Sequence, residues 1–188
     1  MGALKINLIA AACENMGIGI NGNLPWRLKN ELQYFQTMTK MTKDSNLKNA
    51  VIMGRKTWLG IPPSKRPLGD RLNIILTRDP TTVKYPEDVV VLTSLESAFD
   101  YLMKPEVKKD IENVWIVGGS SVYKECMLSP YCNRIYLTKI YADIECDTFF
   151  PPISDDFIEI DNCEDVPKGM HEENGLKYEY KVYEKVSS

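Results

Sequence analysis

Short apolar runs separated by helix-length segments constrain this chain more than any other feature. Ile6–Ala12, Ala50–Met53, Asn73–Thr77, Val89–Leu92 and Val114–Val117 are four to seven residues each and almost wholly apolar. Runs of that length and character are what strands buried on both faces require. Between them the spacing turns helical. Leu28, Leu32 and Phe35 predict a helix from about Leu28 to Met38, and Ser94 reads as the N-cap of a helix over Leu95–Met103. Helical turns also open at Arg55-Lys56-Thr57-Trp58 and just beyond Gly118-Gly119-Ser120-Ser121. Towards the end, Arg134–Tyr141 and Leu176–Val186 alternate apolar and polar residues, as antiparallel strands do. The expectation is a single α/β domain over residues 1–188, with a mostly parallel sheet, helices on its faces and an antiparallel edge.

Open α/β sheets bind ligands at the carboxyl ends of their strands. Three strands end there in unusual chemistry: Gly54-Arg55-Lys56-Thr57, Thr77-Arg78 and Gly118-Gly119-Ser120-Ser121. Two cations in a first helical turn oppose the macrodipole unless an anion joins them, and free helical N–H groups make such an end an anion site. Arg78 is a candidate second contact for the same anion; the alternative is that these side chains lie in solvent. The paired glycines let backbone approach a ligand or adopt positive φ, or else serve close strand–helix packing. Gly17-Ile18-Gly19-Ile20-Asn21-Gly22 fits G-x-G-x-x-G, but Asn23-Leu24-Pro25 follows where a dinucleotide fingerprint needs a helix, and Thr37–Thr42 holds no acid. A mobile lid over a ligand is the better reading, with a plain surface loop as the alternative.

Glu31 is the sharpest single residue. It falls between Leu28 and Leu32, at the edge of the apolar stripe, so its carboxylate either swings to water beside Lys29 or points into a cleft. In an apolar cleft its pKa would rise, fitting it to bind a protonated heterocycle or to assist a proton transfer. Trp26 reads equally as ordinary core, and His171, in a charged segment, as a solvated side chain.

Composition closes off other classes. Lys and Arg total 23 against 26 Asp and Glu, a net charge of −3, so nothing marks a nucleic-acid or membrane surface, and any anionic ligand needs a local basic cluster. The five cysteines are an odd number without CxxC spacing, and with one histidine no metal site is expected. Free thiols in a reducing, cytoplasmic setting follow. Met1-Gly2-Ala3-Leu4-Lys5-Ile6 lacks the Ser or Thr of a myristoylation signal, and Asn7 interrupts a signal-peptide reading of the first apolar run.

Taken in order, Asn15-Met16-Gly17-Ile18-Gly19, Asn21-Gly22-Asn23-Leu24-Pro25-Trp26, Val51-Ile52-Met53-Gly54-Arg55-Lys56-Thr57-Trp58, Arg66-Pro67-Leu68, Trp115 through Lys124 and Asp147-Thr148-Phe149-Phe150-Pro151 resemble dihydrofolate reductase, most closely the animal type. The resemblance implies an eight-stranded mixed sheet flanked by helices. It also implies NADPH-dependent reduction of 7,8-dihydrofolate, with folate as a second candidate substrate, to tetrahydrofolate, feeding one-carbon metabolism and thymidylate and purine synthesis. Antifolate binding, a monomer, and no DNA, membrane or metal partner go with it, and no fused thymidylate synthase is expected. The hydride is expected to pass to C6, with a water supplying the proton to N5.

Residue by residue, the same resemblance makes Glu31 the acid that pairs with the pterin 2-amino group and N3, supported by Thr138 and, through a water, by Trp26. Ile9, Ala10, Leu32, Phe35, Gln36, Thr57, Ile61, Lys65, Leu68, Val117 and Tyr123 fall in the substrate pocket, and Arg71 grips the substrate's glutamate α-carboxylate. Gly17, Ile18, Gly19, Ile20, Asn21, Gly22, Asn23 and Leu24 form the lid over nicotinamide. Ala11, Gly54, Arg55, Lys56, Thr57, Leu76, Thr77, Arg78, Asp79 and Thr148 match other cofactor contacts. Val117, Gly118, Gly119, Ser120, Ser121, Val122 and Tyr123 match the pyrophosphate turn, whose Gly118–Gly119 peptide is cis in the family. Three positions depart from the animal pattern. Thr93 stands where an arginine often lies near the 2′-phosphate, which leaves Lys56 and Arg78 to select NADPH over NADH. Leu32 replaces an aromatic residue, and Lys65 differs near the glutamate tail. Two alternatives remain at this point: a related pterin or pyrimidine reductase on the same fold, or a nucleotide-binding regulator without activity.

Overall fold

The computed structural model describes residues 3–186; Met1 and Gly2 of the segment read for an acylation signal lie outside them. The strands are β1 (Ile6–Ala12), β2 (Gly17–Gly19), β3 (Lys48–Gly54), β4 (Arg71–Leu76), β5 (Val90–Leu92), β6 (Ile111–Gly118), β7 (Cys132–Ile140), β8 (Thr148–Phe149), β9 (Phe157–Ile160), β10 (His171–Glu173) and β11 (Leu176–Lys185). The helices are α1 (Lys29–Lys40), α2 (Arg55–Gly60), α3 (Leu95–Met103), α4 (Pro105–Lys108) and α5 (Ser120–Met127). Eight strands lie side by side in the order β10-β11-β7-β1-β6-β3-β4-β5, and a ninth, β9, pairs with the far half of β11. From β7 to β5 every pairing is parallel; β11, β10 and β9 supply the antiparallel edge. A separate two-stranded ribbon joins β2 to β8.

The alternation of side chains across β3 separates two cores. Ala50 and Ile52 pack with Ile6, Leu8, Ile74 and Ile116 against Leu95, Ala98, Phe99 and Leu102 of α3 and Val122, Tyr123 and Cys126 of α5. Val51 and Met53 pack on the other face with Ile9, Ile75 and Trp115 against Tyr34 and Met38 of α1 and Trp58 of α2. The central strands are therefore apolar throughout, as burial on both faces demands. Ser94 caps α3 in a reciprocal bond pair with Ser97.

Local differences from the sequence reading have physical causes. α1 starts one residue later and runs two residues further, because Thr39 is carried into the interior by its bond to the Phe35 carbonyl (2.8 Å). The Gly-rich loop is partly ordered as β2, since β8 supplies backbone partners too short in sequence to read as a strand. His171 is not solvated: its ring stacks on Tyr178 (5.5 Å) and meets Tyr180 edge-on (5.0 Å), and its buried Nε2 has no partner among the described residues.

Asn49, fully buried at the start of β3, joins three elements. Its amide donates to the Thr39 and Met41 carbonyls (both 2.9 Å) at the end of α1, and its Oδ1 accepts from the Asn113 backbone of β6 (3.0 Å). Asn49→Leu fills the space but strands two carbonyls and one N–H. A loss of about 3 kcal/mol in unfolding free energy is expected, read as a lowered urea midpoint at unchanged slope.

Candidate functional site

Sheet register brings the three unusual strand ends together. Gly54 lies opposite Leu76, and Met53 opposite Gly118, so the turns after β3, β4 and β6 sit side by side at one edge. The Gly118–Gly119 peptide is cis, and Gly118 has φ +140°. A Cβ on Gly118 would come within 2.8 Å of Thr57 Oγ1, so this crossing admits only glycine. Arg55, Lys56 and Arg78 stand exposed around it, and among the described residues none of the three forms an ion pair. Thr77 is buried and its hydroxyl meets the Asp79 backbone, while Asp79 is held below the usual carboxylate range by Thr81. Ser120 donates to the Phe149 carbonyl (2.6 Å), tying the start of α5 to β8; Ser121 is exposed and Val122 buried.

The segment after β1 closes over this edge. Gly17 and Gly19 pair with Phe149 and Thr148, and Ile20 bridges Asn23. The Asn21 amide bonds the Asp147 carboxylate (2.9 Å), which together with the Thr148 hydroxyl keeps that acid ionised well below its usual range. The Gly22 carbonyl approaches Gly60 at the end of α2, and Leu24 projects with 59% of its surface exposed. Ile18, between the paired glycines, is half-buried against the first core.

The acid lies on α1. Glu31 is 8% exposed, and its Oε1 accepts from the Thr138 hydroxyl of β7 at 3.0 Å. Burial raises its pKa to about 7, against the lowering effect of that hydroxyl. No cation pairs with it among the described residues. Thr138 faces Ala11 across the β7–β1 pairing, with Ala10 next along β1. Trp26 is buried close to the start of the same helix, and its indole N–H has no partner among the described residues. Tyr123 reaches across to β1, donating to the Ile9 carbonyl (2.8 Å).

Ile9, Phe35, Ile61, Leu68 and Val117 belong to one hydrophobic cluster, whereas Leu32, one residue on from Glu31, is 46% exposed. At the far end of α1, Arg71 is buried, and each of its three nitrogens donates once to a neutral acceptor: Thr39 Oγ1 (2.8 Å), Gln36 Oε1 (2.9 Å) and the Gly69 carbonyl (2.8 Å), while the two terminal nitrogens each keep a second N–H. Burial lowers its pKa while Asp70 opposes the shift, and Asp70 itself pairs with Lys40 (3.7 Å). An open hollow of about 880 Å³ at the amino ends of β3 and β4 is lined by Arg71, Leu68 and Lys40, at the opposite end of the strands from the glycine crossing. Lys65 is exposed on a 3-10 turn over Pro63–Lys65.

Several organising residues escape a reading of local pattern. Arg66 donates to the carbonyls of Trp58, Leu59 and Ile61 (2.9–3.2 Å) and lies over the Trp58 ring, holding the loop that carries Ile61. Asn73 ties the Pro67–Arg71 turn through Leu68 and Arg71 and so sets the arginine's backbone. Glu173 accepts from the Lys29 and Asn30 amides at the head of α1. Arg66 and Asn73 lay inside segments singled out in the sequence, though neither was read for this role; Glu173 did not. Among the described residues no three His, Cys, Asp or Glu side chains converge as a metal site, and no helix is long and apolar enough to cross a membrane.

A carboxyl that is neutral when buried loses stability for the fold as it ionises. Its folded pKa of about 7 lies above the ordinary value of 4.5, so this stability is full below pH 4.5 and lost as pH rises through 7. Glu31→Gln removes the titration. Urea unfolding between pH 4 and 8 is expected to show the variant gaining on the parent by about 3 kcal/mol across that window; parallel curves would place the carboxyl in water.

The pattern of the family described as Dihydrofolate reductase matches residues 5–185. The dihydrofolate reductase of Aedes albopictus is 57% identical over 182 residues, covering 97% of this chain and 98% of that one. That of Drosophila melanogaster is 53% identical, covering 98% and 100%, and that of Sus scrofa 46%, covering 96% and 97%. The solved structure of Schistosoma mansoni dihydrofolate reductase superposes with a TM-score of 0.86 at 37% identity, over 98% of this chain and all of that one. With sequence and fold in agreement over nearly its whole length, this chain belongs to the dihydrofolate reductase family.

Proposed function

We propose that this protein reduces 7,8-dihydrofolate to 5,6,7,8-tetrahydrofolate with NADPH, as a cytoplasmic monomer. The observation that carries the reading is a buried carboxyl, Glu31, that among the described residues has no cation, together with an apolar cluster and a glycine-only crossing whose neighbouring cations form no ion pair among the same residues.

The residues at the strand ends fit a dinucleotide phosphate. Unpaired Lys56 and Arg78 are suited to a 2′-phosphate, and the backbone of Gly118–Ser121 to the pyrophosphate. The Gly17–Leu24 segment would cover nicotinamide and exclude water. When bound, NADPH supplies the hydride. The protein's part is largely orientation. Glu31 accepts paired hydrogen bonds from the pterin 2-amino group and N3, fixing which ring face is presented. Thr138 fixes the carboxylate in turn, and the Trp26 N–H reaches it through a water. Ile9, Phe35, Ile61, Leu68 and Val117 line the ring and benzoyl path. At its end Arg71 offers a buried guanidinium whose neutral partners leave its charge uncompensated, matched to the glutamate α-carboxylate. A water delivers the proton to N5, helped by a polar, raised-pKa carboxyl nearby.

NADPH oxidation with dihydrofolate, followed at 340 nm, tests the reading. Glu31→Gln is expected to keep the fold and most NADPH affinity but lose most turnover at neutral pH; near-normal turnover would refute the assignment. Arg71→Leu is expected to raise KM for dihydrofolate tenfold or more, on the order of a charge-assisted bidentate pair, with little change in kcat. An unchanged KM would remove its role.

A further inference from the structure

We propose that Glu173, 142 positions from the acid in sequence, is a positioning residue for the reduction, holding the first turn of α1 and thereby the carboxyl of Glu31. The inference rests on the role proposed above for Glu31. Its basis is a mismatch at the head of α1. The first N–H groups of a helix need acceptors from outside it, and the residue at the N-cap usually supplies one. Here that residue is Leu28, whose side chain has no acceptor. Glu173 fills the role from the end of β10. Its Oε2 accepts from the Lys29 amide (2.8 Å) and its Oε1 from the Asn30 amide (2.9 Å). The next residue, Asn174, donates its side-chain amide to the Arg27 carbonyl.

The hairpin makes this grip rigid. Asn174 and Gly175 have φ of 51° and 76°, the two left-handed residues of a tight turn, and Glu173 pairs with Leu176 directly across it. Three bonds therefore fasten Arg27–Asn30 to the tip of β10 and β11. Trp26 and Glu31 flank that fastened segment. Glu31 is the third residue of the helix, so a shift of the first turn displaces its carboxyl against Thr138 on β7.

Charge enters the proposal through the helix end that Glu173 occupies. An unoccupied helix N-terminus favours a nearby carboxylate's ionised form. A carboxylate already seated on those amides cancels that field and adds a negative charge of its own. Besides Thr138 on β7, the ionisable groups coupled to Glu31 are Tyr34 on α1, Tyr123 on α5, and Tyr178 and Tyr180 on β11, the last two of which also respond to Glu173. All four phenols are held protonated by burial, so they do not change charge in the working range. His171, two residues before Glu173 and packed on Tyr178 and Tyr180, is the other ionisable ring at this end of the hairpin.

The test compares Glu173→Gln and Glu173→Ala with the parent and with Glu31→Gln, measuring kcat/KM from pH 5 to 9 and NADPH affinity by fluorescence. Glu173→Ala is expected to raise KM for dihydrofolate about two- to fivefold and to move the midpoint of the pH profile down by about half a pH unit. NADPH affinity should be unchanged. Glu173→Gln keeps an acceptor for one amide but not the charge, so KM should recover while the midpoint stays displaced. If Glu173→Ala does not fold, the isosteric Gln variant decides through its midpoint. Repeating the profile on a His171→Gln background is expected to preserve the displacement; its disappearance would assign the effect to the imidazole and overturn the proposal. A lowered melting temperature with parental KM and midpoint would make Glu173 a plain helix cap and also overturn it. Should Glu31→Gln itself turn over normally, the reading of Glu31 fails first, an outcome separate from a silent Glu173.

Discussion

A single carboxyl group taken out of water governs the arrangement of this site. Glu31 is carried inward by the first turn of a helix whose other buried residues are Tyr34, Met38 and Thr39, so it is buried by the same stripe that anchors α1 to the sheet. Ionising it there costs free energy that no cation among the described residues offsets, and the Thr138 hydroxyl offsets only part of that cost. A ring that presents two N–H donors to that carboxyl restores what burial removed. Affinity and orientation then come from one interaction, because only one edge of such a ring satisfies both oxygens at once.

The sheet explains why this acid and the cationic, glycine-rich edge are neighbours. β1 is the central strand, with β6 on one side and β7 on the other. Beyond β6, the turns after β3, β4 and β6 gather cations and glycine-rich backbone. Beyond β1 on the other side, β7 contributes Thr138, which meets Glu31. The proposed ligand pair, laid across the carboxyl edge, would therefore meet in front of β1, where the Tyr123 hydroxyl occupies the Ile9 carbonyl. The parallel topology sets this order, and the side chains only select what enters.

Much of that frame was legible in the chain because it is local. Buried parallel strands need continuous apolar runs, and five such runs stood out; helix spacing put Glu31 at the edge of its stripe. Which way the acid turned was not local. It depends on Thr138, 107 residues away, and on β7 packing beside β1. The short strands β8, β9 and β10 have too few residues for alternation to register, and β2 is a strand only because β8 pairs with it. His171 looked solvated among charged neighbours, yet β11 brings two tyrosines to its ring. The cap on α1 was hidden for the same reason: Leu28 announces no cap, and the carboxylate that replaces it lies on another element. Asn174-Gly175, a hairpin turn signal in plain view, marks where that element reverses.

The two halves of the site handle charge in opposite ways, and the nature of each ligand accounts for it. Phosphates carry permanent charge, so cations that remain solvated can attract them without an ionisation cost of their own, and Arg55, Lys56 and Arg78 are all exposed. A pterin ring is nearly neutral and must be made to accept electrons and a proton. An acid kept out of water acts strongly on such a ring, since its field is not screened and its protonation balance lies near neutrality. Exchanging the two arrangements would fail at both ends: buried cations would resist desolvation as Arg71 does, and an exposed Glu31 would spend its charge on solvent. A net charge of −3 is thus compatible with the proposed pairing of a polyanion and a flat heterocycle, because local burial rather than total charge decides what each end attracts.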